Sequence, residues 1–217
     1  MNKNVILYFT DLEGTMLREK DGQYDREELY KLFGQLSDLQ NSLQADVKIN
    51  IVSPIFMEQM KKIVSHFNLE IARYNRSNPS SRLDEINAAM ASLDSNQYFD
   101  PNYTYDVIEP FPRIAEDGGE RGKMQHVSNW MDIFPNAKLY IYAGNGRNDI
   151  LAMRKVLSSP RGAVICPTNS RTQVKEIATF VSDKEDMEGI IEGLSRLNER
   201  VRTRQTGFTD SEKRMNV

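Results

Sequence analysis

The run VILYFT, Val5–Thr10, is apolar at every position but its last. A strand with one wet face alternates apolar and polar residues; an unbroken run must be covered on both faces. VKINIVS, Val47–Ser53, reads as a second buried strand. Between them, YDREELYKLFGQLSDLQNSL carries Leu29, Leu32, Phe33, Leu36, Leu39 and Leu43 on one helical stripe. Asp25, with Glu28 three residues later, is placed to open that helix as a capping box. IFMEQMKKIVSHF predicts a second helix and LEIARY, residues 69–74, a short third strand. A β-α-β-α-β rhythm of this kind requires a parallel sheet with helical crossovers.

The rhythm breaks between about Asn75 and Gly122. Leu83, Ile86, Met90 and Leu93 suggest one short amphipathic helix, and the Pro-, Gly- and aromatic-rich stretch after it has no period. We expect residues 75–121 to form an insertion or small cap. Regularity returns with a helix opening at Lys123 (KMQHVSNWMDIF), the strand AKLYIYAGN and the helix NDILAMRKVL. The strand GAVICPTN, helix SRTQVKEIA, short strand TFVSD and a last helix, EDMEGIIEGLSRLNERV, complete the pattern. The expected fold is α/β, a three-layer α/β/α core with a mostly parallel sheet, built from residues 1–74 and 122–200. Residues 203–217 are polar and predict a frayed tail.

Composition narrows the function. The 217 residues are 39% hydrophobic and 27% charged, enough for a real core. A net charge of −3 advertises neither nucleic acid nor an anionic membrane as partner. The lone cysteine, Cys166, rules out an internal disulfide and sits in an apolar run, as a buried structural thiol would. The amino-terminal apolar run is too short for a secretion signal, and no apolar segment approaches a membrane span. These readings predict a soluble, cytoplasmic protein.

In open α/β sheets ligands sit outside the carboxyl ends of the strands. There the first strand delivers Asp11, followed by Glu13 and Gly14; the second delivers Ser53; the AKLYIYAGN strand delivers Gly144-Asn145-Gly146 and then Asn148-Asp149. Each piece alone has an ordinary explanation: Asp-x-Glu-Gly is turn chemistry, Ser-Pro a helix entry, Lys123 a solvated lysine. Their joint order at one sheet edge is harder to dismiss. His66 and His126 lie on expected helices and read as satisfied or solvated. Met57, Met60, Met124 and Met131 read as core filler.

In order, these pieces resemble the four motifs of the haloacid dehalogenase-like (HAD) phosphohydrolases. FTDLEGTML resembles the family's apolar strand and D-x-D-G-T; Ser53 in INIVSP is similar to its strand-terminal Ser or Thr; Lys123 in GKMQHVSNWM matches its lysine; AGNGRNDILAM resembles G-D-G-x-N-D-x-x-M-L. The segment around Asn169, Val174 and Lys175, with GIIEGL after it, resembles the Cof-like and sucrose-phosphatase branch. The likeness covers most of Asn4–Ala72 and Gly122–Leu194 and implies a Rossmann-like core; the middle matches no cap of the family.

The resemblance implies a Mg²⁺-dependent phosphatase acting on a phosphate monoester. Asp11 would be the nucleophile that forms an aspartyl-phosphate, and Glu13 the acid–base. Ser53, Lys123, Gly14 and Thr15 would bind phosphate. Asp11, the Glu13 backbone carbonyl, Asn145 and Asp149 would hold Mg²⁺. Two residues depart from the family pattern. Glu13 replaces Asp and is longer by roughly 1.5 Å, where a misplacement near 1 Å can cost about 10²-fold. Asn145 replaces Asp and removes a charge worth about 4 kcal/mol per contact at an effective dielectric near 20. They feed a second reading, a catalytically weakened binding or regulatory protein; a third is a phosphotransferase. With so small an insertion the site is either open to a bulky phosphorylated substrate or covered by a second subunit in a homo-oligomer.

Overall fold

A computed structural model describes residues 4–18, 20–53, 57–83, 87–90 and 116–214. Six strands form one parallel sheet: β1 (Val5–Thr10), β2 (Asp46–Ser53), β3 (Asn87–Met90), β4 (Leu139–Ala143), β5 (Gly162–Cys166) and β6 (Phe180–Val181). Their order is β3-β2-β1-β4-β5-β6. The chain therefore winds outward from β1 in one direction, returns, and winds outward from β4 in the other. The reversal leaves a crevice between the carboxyl ends of β1 and β4.

Helices cover both faces, as the unbroken apolar strands require. Alternate residues of β1 serve opposite sides: Ile6 and Tyr8 face one core, Val5, Leu7 and Phe9 the other. The first core takes Leu29, Phe33 and Leu36 of α1 (Arg26–Leu43), Phe67 and Ile71 of α2 (Met57–Ser77), and Ile190 and Leu194 of α6 (Asp186–Arg214). The second takes Val127 of α3 (Glu116–Ile133), Met153 and Val156 of α4 (Ile150–Leu157), and Val174 of α5 (Thr172–Ile177). A 3-10 turn, Arg147–Asp149, leads into α4. Among the described residues no helix is long and apolar enough to cross a membrane.

Local sequence explains the helix ends and joints. Asp25 caps α1, its side chain accepting from the amides of Glu27 at 2.7 Å and Glu28 at 3.2 Å. Glu70 of α2, fully buried, accepts from Arg26 (2.7 Å) and Tyr30 (2.9 Å) of α1 and from Arg73 (2.6 Å) of its own helix. The carboxylate is buried only because three donors meet it. His66, one turn before it, has Nε2 3.8 Å from the same carboxylate.

Four expectations are corrected. LEIARY is not a strand but the continuation of α2, because Val64, Phe67 and Ile71 carry the helical stripe through it. The third strand is Asn87–Met90, where a helix around Leu83–Leu93 was expected; Ile86 and Leu93 lie outside the described residues. Its backbone pairs with Asn50–Ser53 at the sheet edge, and four apolar residues at helical spacing were too thin a signal to oppose that pairing. Part of the segment 75–121 thus belongs to the sheet, and residues 91–115 lie outside the described residues. Helix α3 starts at Glu116, so Lys123 lies about two turns inside it rather than opening it. Helix α6 runs on to Arg214, past the point where a frayed tail was expected. Once its docked half has nucleated, polar helix formers such as Arg, Gln and Glu can extend it.

Candidate active site

Register brings the pieces to one edge. Thr10 pairs with Ile51 of β2 and Ala143 of β4, so Asp11, Ser53 and Gly144 leave the sheet within two residues of a common level. The ladder extends one step further, the Asp11 amide donating to the Ala143 carbonyl at 2.9 Å. Asp11 is therefore held by strand geometry rather than by a loop.

Lys123 reaches this edge from α3 and is fully buried. Its Nζ lies 2.8 Å from Asp11 Oδ1 and 2.7 Å from Asp149 Oδ1, with Asn148 Oδ1 at 3.4 Å. Asp149 is fixed from four directions. Its Oδ1 accepts from Lys123 and from the Tyr142 hydroxyl at 2.8 Å; its Oδ2 accepts from the amides of Asn145 (3.1 Å) and Gly146 (2.9 Å). Gly144 permits this: a Cβ there would sit 2.6 Å from Asp149 Oδ2.

One ammonium between two carboxylates in a dry site leaves an excess negative charge. Burial, and then the Asp149 charge, push the Asp11 carboxyl up to about 7 against the pull of Lys123. Burial alone would lower Lys123, but the two carboxylates and their hydrogen bonds overcome it and hold it raised, as an ammonium. Burial and the same carboxylates raise Tyr142 well above its usual value, so it stays a donor.

The turn after β1 is tight. Gly14 has φ +66°, and a Cβ there would lie 2.1 Å from Asn145 Nδ2, so only glycine lets the amide pack on the turn. The Gly14 amide donates to Leu17 O at 2.7 Å and the Thr15 amide to Leu12 O at 3.4 Å, so both amides are used within the turn. The buried Thr15 hydroxyl donates to Asn145 Oδ1 at 3.5 Å. Glu13 is exposed, its backbone bridged to Leu17. Ser53 Oγ is fully buried with no hydrogen-bond partner among the described residues. A buried hydroxyl left without a partner at a strand end calls for one.

The donors on this edge suit a hard divalent cation in kind: the Asp11 carboxylate, the Asn145 amide oxygen and the Glu13 backbone carbonyl are all oxygen ligands. Among the described residues no three His, Cys, Asp or Glu converge as a cage. For Asp149 to take a metal directly it would give up one of its four donors. The set therefore fits a cation held by few protein charges, with water completing its shell.

The expected residues are thus brought together in part. Asp11, Lys123, Asp149 and Ser53 meet at one edge, and Asn145 packs on Gly14. His126, one turn after Lys123, packs against Phe9 and Trp130, each with ring centroids 6.3 Å away. Burial lowers it from near 6.5 to about 4, so it is neutral. Three residues were missed by sequence reasoning. Tyr142 passed as one more strand aromatic, although its hydroxyl needs a partner when buried. Asn148 was noted beside Asp149 in GNGRND but given no role. Asn169 Nδ2 donates to Asp186 Oδ1 at 2.8 Å and to the Gly14 carbonyl at 3.4 Å, tying the turn to the start of α6; its signal was its place in the motif ending at Lys175.

No protein-family model matches the chain. No curated protein matches it significantly. Solved structures do. A haloacid dehalogenase-like hydrolase protein of Bacillus subtilis aligns with TM-score 0.51 at 16% identity, covering 91% of this chain and 90% of that one. The 3-deoxy-D-manno-octulosonate 8-phosphate phosphatase of Yersinia pestis aligns with TM-score 0.51 at 10% identity, covering 93% and 84%. A Thermoplasma acidophilum protein, 0175, aligns with TM-score 0.50 at 10% identity, covering 90% and 99%. The chain has the three-layer α/β fold of haloacid dehalogenase-like hydrolases.

Proposed function

We propose that the chain is a HAD-type phosphatase that hydrolyses a phosphate monoester through an aspartyl-phosphate on Asp11. The observation that carries this reading is the buried Lys123 ammonium, 2.8 Å from Asp11 and 2.7 Å from Asp149, at the crevice between β1 and β4. The Ser53 hydroxyl, at the same sheet edge and without a partner among the described residues, supports the same reading. The motif around Asn169 and Lys175 favours the Cof-like or sucrose-phosphatase branch on sequence alone.

In this mechanism Asp11 attacks phosphorus, the P–O ester bond breaks, and Glu13 gives its proton to the leaving alcohol. Glu13 then takes a proton from water, which attacks the acyl phosphate and releases inorganic phosphate and Asp11. Lys123 offsets the charge of the nucleophile and of the phosphoryl oxygens, and Ser53 donates to one of them. Asp149 keeps Lys123 charged and aimed; Tyr142 and the Asn145 and Gly146 amides keep Asp149 in place. Asp11, Asn145 and the Glu13 carbonyl would hold Mg²⁺, which neutralises phosphate charge so that one anion can approach another.

The test is phosphate release over a panel of phosphomonoesters, with Mg²⁺ and with EDTA. Release from at least one compound that EDTA abolishes supports the reading; none across the panel removes it. The uncharged Asn145 and the exposed Glu13 favour one alternative, a HAD-like fold that binds phosphorylated ligands without turning them over. That protein would bind a phosphomonoester in calorimetry and release no phosphate.

A further inference from the structure

The opposite edge of the sheet carries a second feature that the phosphatase reading leaves unused. A cleft of about 530 Å³ opens where β4, β5 and β6 begin, between them and the carboxyl-terminal half of α6. Its floor is apolar, with Phe180 and Leu197, and four cations line it: Lys138, Arg161, Arg200 and Arg204. Among the described residues no Asp or Glu lines it. Strand β4 has five residues, at about 3.3 Å each, so the cleft is about 15 Å from the Asp11 edge.

The cations are not balanced by neighbouring carboxylates among the described residues. Among the described residues none of the four is in an ion pair, whereas Arg202, on the same helix, pairs with Asp38 at 3.2 Å. Arg200 and Arg204 stand at i,i+4, a spacing at which like charges destabilise a helix. Arg161 is held in place by donating to the Ala137 carbonyl at 2.8 Å, with three of its five N–H groups left over after its contact with Pro135 O. A chain with net charge −3 has thus gathered four positive charges around one apolar hollow. The hollow lies within the roughly 300–1,000 Å³ typical of small-molecule sites, so its shape suits a compact ligand rather than a polymer.

We infer that this cleft binds a small amphipathic anion, an aromatic or aliphatic body bearing a carboxylate, sulfonate or phosphate. The body covers Phe180 and Leu197, and the anionic head meets the Arg161 and Arg200 guanidinium groups, whose forks match a two-oxygen acceptor.

The test uses 1-anilinonaphthalene-8-sulfonate, followed by fluorescence on the full chain. One saturable site is expected, weakened by raised salt and by about tenfold or more in the Arg161→Gln/Arg200→Gln double variant. Both residues are exposed, and circular dichroism checks that the variant folds; a second pair, Lys138→Gln/Arg204→Gln, leaves the Arg161 hydrogen bonds in place and should weaken binding in the same direction. The uncharged N-phenyl-1-naphthylamine should bind equally to wild type and variants. Asp11→Asn should leave sulfonate affinity unchanged, which separates this cleft from the catalytic edge. Absent saturable binding, binding indifferent to both double variants, or binding lost in Asp11→Asn would each overturn the inference. It stands or falls independently of phosphate release.

Discussion

Lys123 Nζ lies 2.7 Å from Asp149 Oδ1, and neither side chain is exposed to solvent. A buried ammonium is tolerable only while its partners are present, and here the partners are Asp149 on one side and Asp11 on the other. Removing the one cation of such a set typically costs about 3–5 kcal/mol, because the buried carboxylates are left uncompensated. Lys123→Met should therefore destabilise the fold on that scale and lower the denaturant midpoint. Combined with Asp11→Asn, the loss should be smaller than in Lys123→Met alone, since one stranded carboxylate is gone. Urea titrations of the two single variants and the double variant would measure the coupling; additive losses would refute the pairing.

Asp11→Asn separates catalysis from stability. Burial and the Asp149 charge already push the Asp11 carboxyl up to about 7, so the ionised form is the disfavoured one in the folded protein. An isosteric amide removes that penalty. We expect a melting temperature equal to or above wild type, with phosphate release reduced to background. Turnover that survives the substitution would remove Asp11 as nucleophile.

His126 sets an acid limit on the fold. Its value falls from near 6.5 unfolded to about 4 folded, from burial. Between those values the unfolded chain binds the proton and the folded one does not, so stability is full above about pH 6.5 and is lost as pH falls toward 4. The gap is about 2.5 units, or roughly 3 kcal/mol at 1.36 kcal/mol per unit. His126→Phe keeps a ring against Phe9 and Trp130 and cannot be protonated. Its denaturant midpoint should decline less than that of wild type between pH 6.5 and 4; parallel curves would show that His126 does not carry the acid loss.

The sheet and the candidate site were legible because unbroken apolar strands leave few architectures, and strand ends leave few positions. Asp11, Ser53 and Asp149 could be placed by counting from the last apolar residue. What failed was local evidence overruled by partners far away in sequence. LEIARY has strand-like residues, but Phe67 and Ile71 meet a core that makes it helix. Asn87–Met90 has little strand character of its own and is recruited by the open edge of β2. The role of Tyr142 was invisible because it depends on where Asp149 folds back, four backbone and side-chain donors converging on one carboxylate. The basic cleft was hidden for the same reason: its cations come from three separated stretches of chain, around Lys138, Arg161 and Arg200–Arg204.

Glu13 and Asn145 decide whether this site is adapted or worn down. If Glu13 is the acid–base, Glu13→Gln should lose about 10²–10⁴-fold in turnover and accumulate phosphorylated Asp11, because the attacking water has lost its base. The phosphoenzyme would be trapped by acid quench and read by mass spectrometry. Glu13→Asp and Asn145→Asp then restore the usual family residues one at a time. Asn145→Asp adds a carboxylate beside Gly14 and should tighten Mg²⁺ binding, by at most a few kcal/mol at an effective dielectric near 20. In an adapted site Glu13→Asp loses activity, since a carboxylate drawn back by roughly 1.5 Å no longer reaches the leaving oxygen. In a decayed site the wild type turns over negligibly, and the Glu13→Asp/Asn145→Asp double variant gains. The exposed Glu13 sits on a turn pinned by Gly14, Leu17 and Asn169, which limits how far the backbone can shift to compensate for side-chain length. On that geometry the longer side chain is the one fitted to the turn, and we expect Glu13→Asp to lose activity. Turnover indifferent to Glu, Gln and Asp at this position would remove Glu13 from the chemistry altogether.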